Sequence, residues 1–445
     1  MKERSGFSGK LGFVFAAAGS AVGLGNLWRF PYLAARYGGG LFLLIYILLV
    51  VTVGFVLMVT EVSVGRRAQK NVYDSYRVLD RRFSFIGVLG VIIPFFIASY
   101  YSVVGGWVIK YIVTFLSGSG AETAAPGYFD QYIASPAAPL IYHAVFLIIS
   151  FSILILGVQK GIEKTNKILM PALILLSIVI AVKSIMLPGG MEGVKYFLVP
   201  DLKHFSFHTV LAALGQMFYS LSLAMGVMVT YGSYLSKKED IVKGIKLAEV
   251  FDTVIAFLGG MMILPAVFAT AGDTPETMNA GPSLLFVTLP RVFHSMKFGD
   301  IFAALFFFLV LFAAITSMVS LMEVFIAFLI DKFQFGRIKA TACVCLLAFI
   351  LGIPCSLGFG VWEQVRLFGM NLFDLIDFIA NSVLMPLTAI FTCVFVGYFW
   401  GVKNIINEVE LSGEFHHKKY YTIMIRYIVP VSIAFVWVSS VFKFY

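Results

Sequence analysis

Asn26, Ser220, Asp252, Thr316 and Ser317 carry hard oxygen donors within stretches that are otherwise apolar. Amide, hydroxyl and carboxylate oxygens at such places suit an alkali cation, whereas transition metals call for imidazole or thiolate. The four cysteines, Cys343, Cys345, Cys355 and Cys393, lie in apolar segments, with no histidine or second cysteine pair to complete a zinc site. Carboxylates are too few for a calcium cage. His143, His204, His208, His294, His416 and His417 sit mostly near loops, without a nucleophile–base pair or metal triad, and no enzyme is expected.

Two apolar runs contain what a lipid-facing helix avoids. One carries Gly19, Ser20, Gly23, Gly25 and Asn26 in its middle; the other carries Ser220, Ser222 and Gly226 around Tyr219 and Met225. Glycine costs about 1 kcal/mol relative to alanine inside a helix, and freed backbone groups survive at membrane depth only against protein or a cavity. Both runs therefore predict broken helices. A broken helix offers N–H groups that attract a carboxylate and carbonyls that attract a cation. An alkali cation with a small zwitterion fits that pattern.

The elements that position these residues follow from composition. Of 445 residues, 60% are hydrophobic and 13% charged, against about 25% charged in soluble domains. The runs are apolar on every side rather than alternating, which excludes a β-barrel and leaves bundled transmembrane helices. Eleven spans are expected, at 11–36, 40–65, 86–116, 141–157, 165–187, 209–234, 245–270, 299–330, 339–356, 371–400 and 421–442. The net charge of +9 follows the loops. Lys2, Arg4 and Lys10 precede the first span, six arginines and lysines from Arg66 to Arg82 follow the second, and Lys160, Lys164 and Lys167 follow the fourth, whereas 117–139 holds none. The basic side is cytoplasmic, so nucleic acid is not expected as a partner, the N-terminus lies inside and the C-terminus outside. The broken helices open spans 1–5 and spans 6–10, and an odd number of spans per half makes the halves an inverted repeat. One membrane domain, 1–445, thus divides into a first repeat (1–190), a second (191–402) and a linker with helix 11 (403–445).

Ala21-Val22-Gly23-Leu24-Gly25-Asn26-Leu27-Trp28-Arg29-Phe30-Pro31 resembles the first-helix signature of the neurotransmitter:sodium symporter family. The similarity continues in Tyr100-Tyr101, in Gly215 to Ser222, in Gly281-Pro282 with Phe286 to Pro290, and in Ala313 to Ser317, and covers about residues 4–400. It implies a first sodium site from the Ala21 carbonyl, Asn26, Ser220 and Asp252, completed by the substrate carboxylate, and a second from Gly19, Val22, Ala313, Thr316 and Ser317. The substrate carboxylate would meet the Leu24 and Gly25 amides and Tyr101, and its ammonium Ala21, Tyr219, Ser220 and Ser222. The side chain would face Ile97, Tyr219, Met225, Ser317 and Leu321.

Further implications concern gating and substrate class. Monoamine-carrying relatives hold an aspartate at the position of Gly23, so its absence implies a substrate that brings its own carboxylate. The gates implied are Arg29 with Asp377 and, on the cytoplasmic side, Arg4 with Asp331, Tyr234 and Phe7, the last in place of the family's tryptophan. Gly161 and Pro171 are similar to a motif at which the fifth span unwinds. Chloride-independent bacterial relatives place a glutamate where this chain has Ala256, which leaves Asp252 to supply the charge, and no chloride requirement is expected. The function implied is a plasma-membrane symporter that uses two sodium ions to import neutral hydrophobic or aromatic L-amino acids by alternating access. A carrier of another small amine or osmolyte, and a channel, are the alternatives; oligomeric state is unspecified by the sequence.

Overall fold

The computed structural model describes residues 6–271 and 282–442, so Arg4 and Gly281 lie outside the described residues. Among the described residues every regular element is a helix. The first half runs α1 (Lys10–Ala21), α2 (Gly25–Arg36), α3 (Gly40–Ala68), α4 (Val72–Leu79), α5 (Arg81–Leu116), α6 (Tyr128–Ala134), α7 (Ala138–Leu154), α8 (Val158–Ile185) and α9 (Gly190–Leu198). The second runs α10 (Phe207–Ser220), α11 (Val227–Ser233), α12 (Ile241–Ala271), α13 (Leu284–His294), α14 (Gly299–Phe333), α15 (Arg337–Leu357), α16 (Leu372–Phe399), α17 (Val402–Glu410) and α18 (Lys418–Phe442).

Eight of these, α3, α5, α8, α12, α14, α15, α16 and α18, are long and apolar enough to cross a membrane; the pairs α1–α2, bent by 52°, and α6–α7, bent by 80°, raise the number to ten. The span expected at 209–234 with an interruption is two short helices, α10 and α11, parted by residues 221–226. Much of α12 and α14 is buried, whereas α8 and α18 turn most of their surface outward. Close approach at the centre depends on glycine: a Cβ at Gly25 would sit 2.6 Å from the Tyr219 ring, and one at Gly19 would sit 2.7 Å from Asn166 Oδ1. Small residues let helix backbones meet where lipid supplies no hydrophobic drive between helices.

Candidate functional site

The two breaks face each other. α1 ends at Ala21, Val22 turns to an extended conformation, and the chain re-enters helix through a wide π turn at Gly25–Arg29. Across from it, α10 stops at Ser220 and the backbone turns left-handed at Ser222 (φ +51°), Ala224 (φ +59°) and Gly226 (φ +72°) before α11 begins. Two non-glycine residues in that region are strained, and such strain persists where surroundings hold it. Here Glu61 of α3 accepts the Ala224 N–H at 2.7 Å, and Ser222 Oγ donates to the Ser20 carbonyl at 3.0 Å, tying one break to the other.

Asp252 of α12 is fully buried and collects the polar groups beside the breaks. Its carboxylate accepts from Asn26 Nδ2 at 2.8 Å, from Ser220 Oγ at 2.5 Å and from the Tyr46 hydroxyl at 2.6 Å. Tyr46 also reaches Ser220 Oγ at 3.1 Å, while Gln216 Nε2 donates to the Gly25 carbonyl at 3.1 Å. Ala256, one turn on, is buried and brings no charge. The structure thus brings together Asn26, Ser220 and Asp252, with Ala21 on the same cavity wall. The hydroxyl oxygens of Ser220 and Tyr46 and the Asp252 carboxylate, with Asn26 Oδ1 turned toward the Gly23 N–H at 3.3 Å, supply hard oxygens of the kind an alkali cation takes.

A second group forms where α14 crosses the first break. Thr316 Oγ1 lies 3.0 Å from the Ala313 carbonyl and 3.5 Å from the Val22 carbonyl; Ser317 Oγ donates to the carbonyls of Ser20 and Val22, each at 3.2 Å. Gly19 packs on Asn166 of α8, whose Nδ2 is buried without a hydrogen-bond partner. Ser20, rather than Gly19, is the carbonyl that Ser317 contacts.

Between these groups lies a narrow cavity of about 30 Å³, lined by Ala21, Leu24, Gly25, Ile97, Tyr101, Tyr219, Ser220, Ser222, Met225, Ser317 and Leu321, with Ser20, Gly23 and Asn26. The Leu24 N–H points to the Tyr101 hydroxyl at 3.4 Å. A Cβ at Gly23 would stand 2.6 Å from Ser317 Oγ and 3.3 Å from the Tyr101 hydroxyl, so an aspartate there would occupy the pocket itself. No lysine, arginine, aspartate or glutamate side chain lines the void among the described residues; the carboxyl group of Asp252 lies behind Asn26 and Ser220.

The gate residues differ in what they touch. Arg29 and Asp377 form no ion pair: the Arg29 guanidinium lies 5.4 Å from the Tyr219 ring centroid, and Asp377 is held by Asn381, which also binds the Tyr100 hydroxyl. Beyond Tyr219 a second void of about 350 Å³ is lined by Arg29, Tyr32, Arg36, Phe218 and Asn381. At the other end Phe7 packs edge-on against Tyr231 and Tyr234, at 5.5 and 6.1 Å between ring centroids. Asp331 accepts from the backbone N–H and side chain of Asn71, and its proposed partner Arg4 is outside the described residues.

Sequence reasoning missed a clamp at this end. Glu323 binds Arg337 through both guanidinium nitrogens, at 2.8 and 2.6 Å, and accepts the Tyr234 hydroxyl at 2.8 Å. The signal was present: Glu323 is a carboxylate seven residues after Thr316 in an apolar run, where an ionisable residue demands a partner. Glu163 was missed as well. It binds the Ser8 N–H and hydroxyl and Lys167, while Gln159 donates to the Gly6 carbonyl, strapping the start of the chain to the segment around Gly161.

The model of the Sodium:neurotransmitter symporter family matches residues 4–121 and 131–445. The chain is 38% identical to an uncharacterised sodium-dependent transporter of Bacillus subtilis, over 98% of this chain and 97% of that protein. It is 35% identical to one of Haemophilus influenzae, over 99% of each. Among solved structures, that of MhsT in complex with L-phenylalanine aligns with a TM-score of 0.89 at 38% identity, over 98% of this chain and all of the other.

Proposed function

Because this chain belongs to the Sodium:neurotransmitter symporter family, we propose that it imports neutral hydrophobic or aromatic L-amino acids, coupled to two sodium ions, by alternating access. Membership makes it a multi-pass membrane transporter that depends on sodium. The observation that carries the substrate class is the pocket at Gly23: no ionised side chain lines it among the described residues, and Gly23 itself brings none. A bare amine would enter without a counter-charge. A zwitterion supplies its own carboxylate, to the Leu24 and Gly25 amides and to a sodium ion on Ala21, Asn26, Ser220 and Asp252. The second ion takes Gly19, Val22, Ala313, Thr316 and Ser317. MhsT, the structural relative, was solved with L-phenylalanine, and Met225 with Leu321 and Ile97 gives an apolar wall that adapts to side chains of differing shape.

In this reading the chain crosses the plasma membrane eleven times, with spans 1–5 and 6–10 as inverted repeats, the N-terminus cytoplasmic and the C-terminus outside. Arg29, Tyr219 and Asp377 close the outer path; Arg4, Phe7, Tyr234 and Asp331 close the inner one. Because the first sodium and the substrate share a ligand, each tightens the other by the same factor. Uptake into proteoliposomes under an inward sodium gradient tests the proposal, with unlabelled amino acids, amines and osmolytes as competitors. Saturable uptake blocked by leucine, phenylalanine or tryptophan is expected. Stronger competition by an amine or osmolyte would replace the substrate class, and non-saturable flux would indicate a channel.

A further inference from the structure

At the end of the bundle that carries the basic loops, α16 and α18 meet where each widens into a π turn, at Phe395–Phe399 and at Met424–Ile428. Such turns release carbonyls from the helix ladder, and side chains of a neighbouring helix re-satisfy them. Arg426 Nε donates to the Gly397 carbonyl at 2.9 Å, and the Tyr398 hydroxyl donates to the Arg426 carbonyl at 2.8 Å. That contact uses one nitrogen of the guanidinium. The two terminal nitrogens are accessible and have no protein acceptor among the described residues, and no carboxylate there forms an ion pair with Arg426. Its neighbour differs: Arg82, whose guanidinium lies 5.5 Å from the Phe399 ring centroid, binds Asp80 at 2.7 Å. An arginine inside a span takes a partner, and here the protein supplies only a backbone carbonyl.

Arg426 borders an arc of α18 that faces lipid, where Ile423, Tyr427, Val431 and Phe435 are each more than half exposed. Its depth follows from Gly397, which precedes Trp400 by three residues, about 4.5 Å along the axis. Tryptophan and tyrosine mark the water interface of a membrane, so Trp400, Tyr398 and Tyr427 set the guanidinium at headgroup level. The anion at that level is lipid phosphate, and the guanidinium fork matches two of its oxygens. We propose that Arg426 holds an anionic phospholipid of the glycerol-headgroup class, two phosphate oxygens on its terminal nitrogens and the acyl chains running deeper along Tyr427, Val431 and Phe435. A choline or ethanolamine headgroup carries its own ammonium, which shares the phosphate charge and finds no carboxylate paired to this site. A glycerol headgroup leaves that charge to the arginine.

Native mass spectrometry of the full-length protein, delipidated in detergent and exposed to equimolar glycerol, ethanolamine and choline phospholipids of identical chains, reads retention of the first lipid bound. The glycerol lipid should be retained at least about fivefold over either zwitterionic lipid, as one basic contact at a membrane surface implies. Arg426→Gln should remove the preference, whereas Tyr398→Phe, which loosens the same helix contact without touching the charge, should keep it. Inorganic phosphate added in excess should not displace the lipid. Monodispersity and sodium-dependent uptake check that both variants fold, since neither residue belongs to a proposed ion or substrate site. A preference that survives Arg426→Gln or is lost in Tyr398→Phe, displacement by inorganic phosphate, or a dimer that Arg426→Gln dissociates would each overturn the assignment.

Discussion

Asp252→Asn removes the charge on which the proposed first sodium site depends while leaving the side-chain shape. The carboxylate takes donors on both oxygens: Asn26 and Ser220 on Oδ1, and Tyr46 on Oδ2. An amide has one acceptor, but its NH₂ can face the Tyr46 oxygen while the Tyr46 hydroxyl donates to Ser220 Oγ at 3.1 Å, so the hydrogen-bond network itself loses little. The ion loses more. A unit charge about 4 Å away contributes about 4 kcal/mol at an effective dielectric near 20, and about 1.4 kcal/mol is a factor of ten. Apparent sodium affinity should therefore fall by roughly two to three orders of magnitude, which abolishes uptake at ordinary sodium concentrations. Tyr46→Phe keeps the charge and removes one donor, so its loss should be near tenfold at most. Because the charge is built into the protein and Ala256 adds none, the unmodified transporter should work equally in chloride and in gluconate. The assay is a sodium titration of proteoliposome uptake in each anion, with monodispersity in detergent as the check on folding. Strict chloride dependence of the unmodified protein, or an Asn variant with undiminished sodium affinity, would refute the reasoning.

Thr316→Val deletes the hydroxyl that meets Val22 and Ala313 and should lower apparent sodium affinity several-fold with little change in expression; an unaltered sodium titration would move the second ion elsewhere. Tryptamine should compete at least about tenfold more weakly than tryptophan, because the amides and Tyr101 at the carboxylate end would be left unpaired; equal inhibition in a competition assay would contradict the pocket. Arg337→Met strands the buried Glu323 and should destabilise the fold by about 3–5 kcal/mol, read as a drop in thermal midpoint. Adding Glu323→Gln to that variant should recover much of the loss, and a single variant as stable as the parent would show the clamp to be idle.

The helical membrane character was legible because lipid tolerates few alternatives: uninterrupted apolar runs of some 20 residues fix helix, length and crossing together. The breaks were legible too, since glycine, serine and asparagine in the middle of such runs have a local meaning. What the sequence left open was the form of the second break: left-handed backbone at Ser222 and Ala224 divides 209–234, and side-chain type alone does not predict that conformation at serine or alanine. The clustering of Asn26, Tyr46, Ser220 and Asp252 joins four helices, and no period within one helix encodes such a meeting; family resemblance supplied Asn26, Ser220 and Asp252, and the packing adds Tyr46. Arg29 and Asp377 illustrate the reverse case, in which opposite charges in the right segments invite a pair, whereas Tyr219 and Asn381 take the two groups separately.

The two ends of the pocket are sealed by unequal means, and the inequality bears on how ions would drive the cycle. Toward the second void the pocket is closed by the Tyr219 ring with Arg29 above it, contacts that a rotamer change can undo. The opposite end is closed by Phe7 among Tyr231 and Tyr234, by the bidentate Glu323–Arg337 clamp, and by the Glu163 strap on Ser8. Opening that end requires a buried carboxylate to lose a charged partner, at a cost of several kcal/mol, whereas opening the first end costs a cation–π contact of about 1–2 kcal/mol. A ligand shifts such an equilibrium only by its differential affinity for the two states. Ions and substrate that bridge the two breaks would draw Ser20, Val22 and Ser222 together and favour closure on the Tyr219 side. Release at the clamped end then needs a separate trigger, and the strap is suited to it: Glu163 lies in the π-helical turn Val158–Glu163, next to Gly161, so loosening of that turn would free the start of α1 and expose the Asn166–Gly19 contact beside the second proposed ion site.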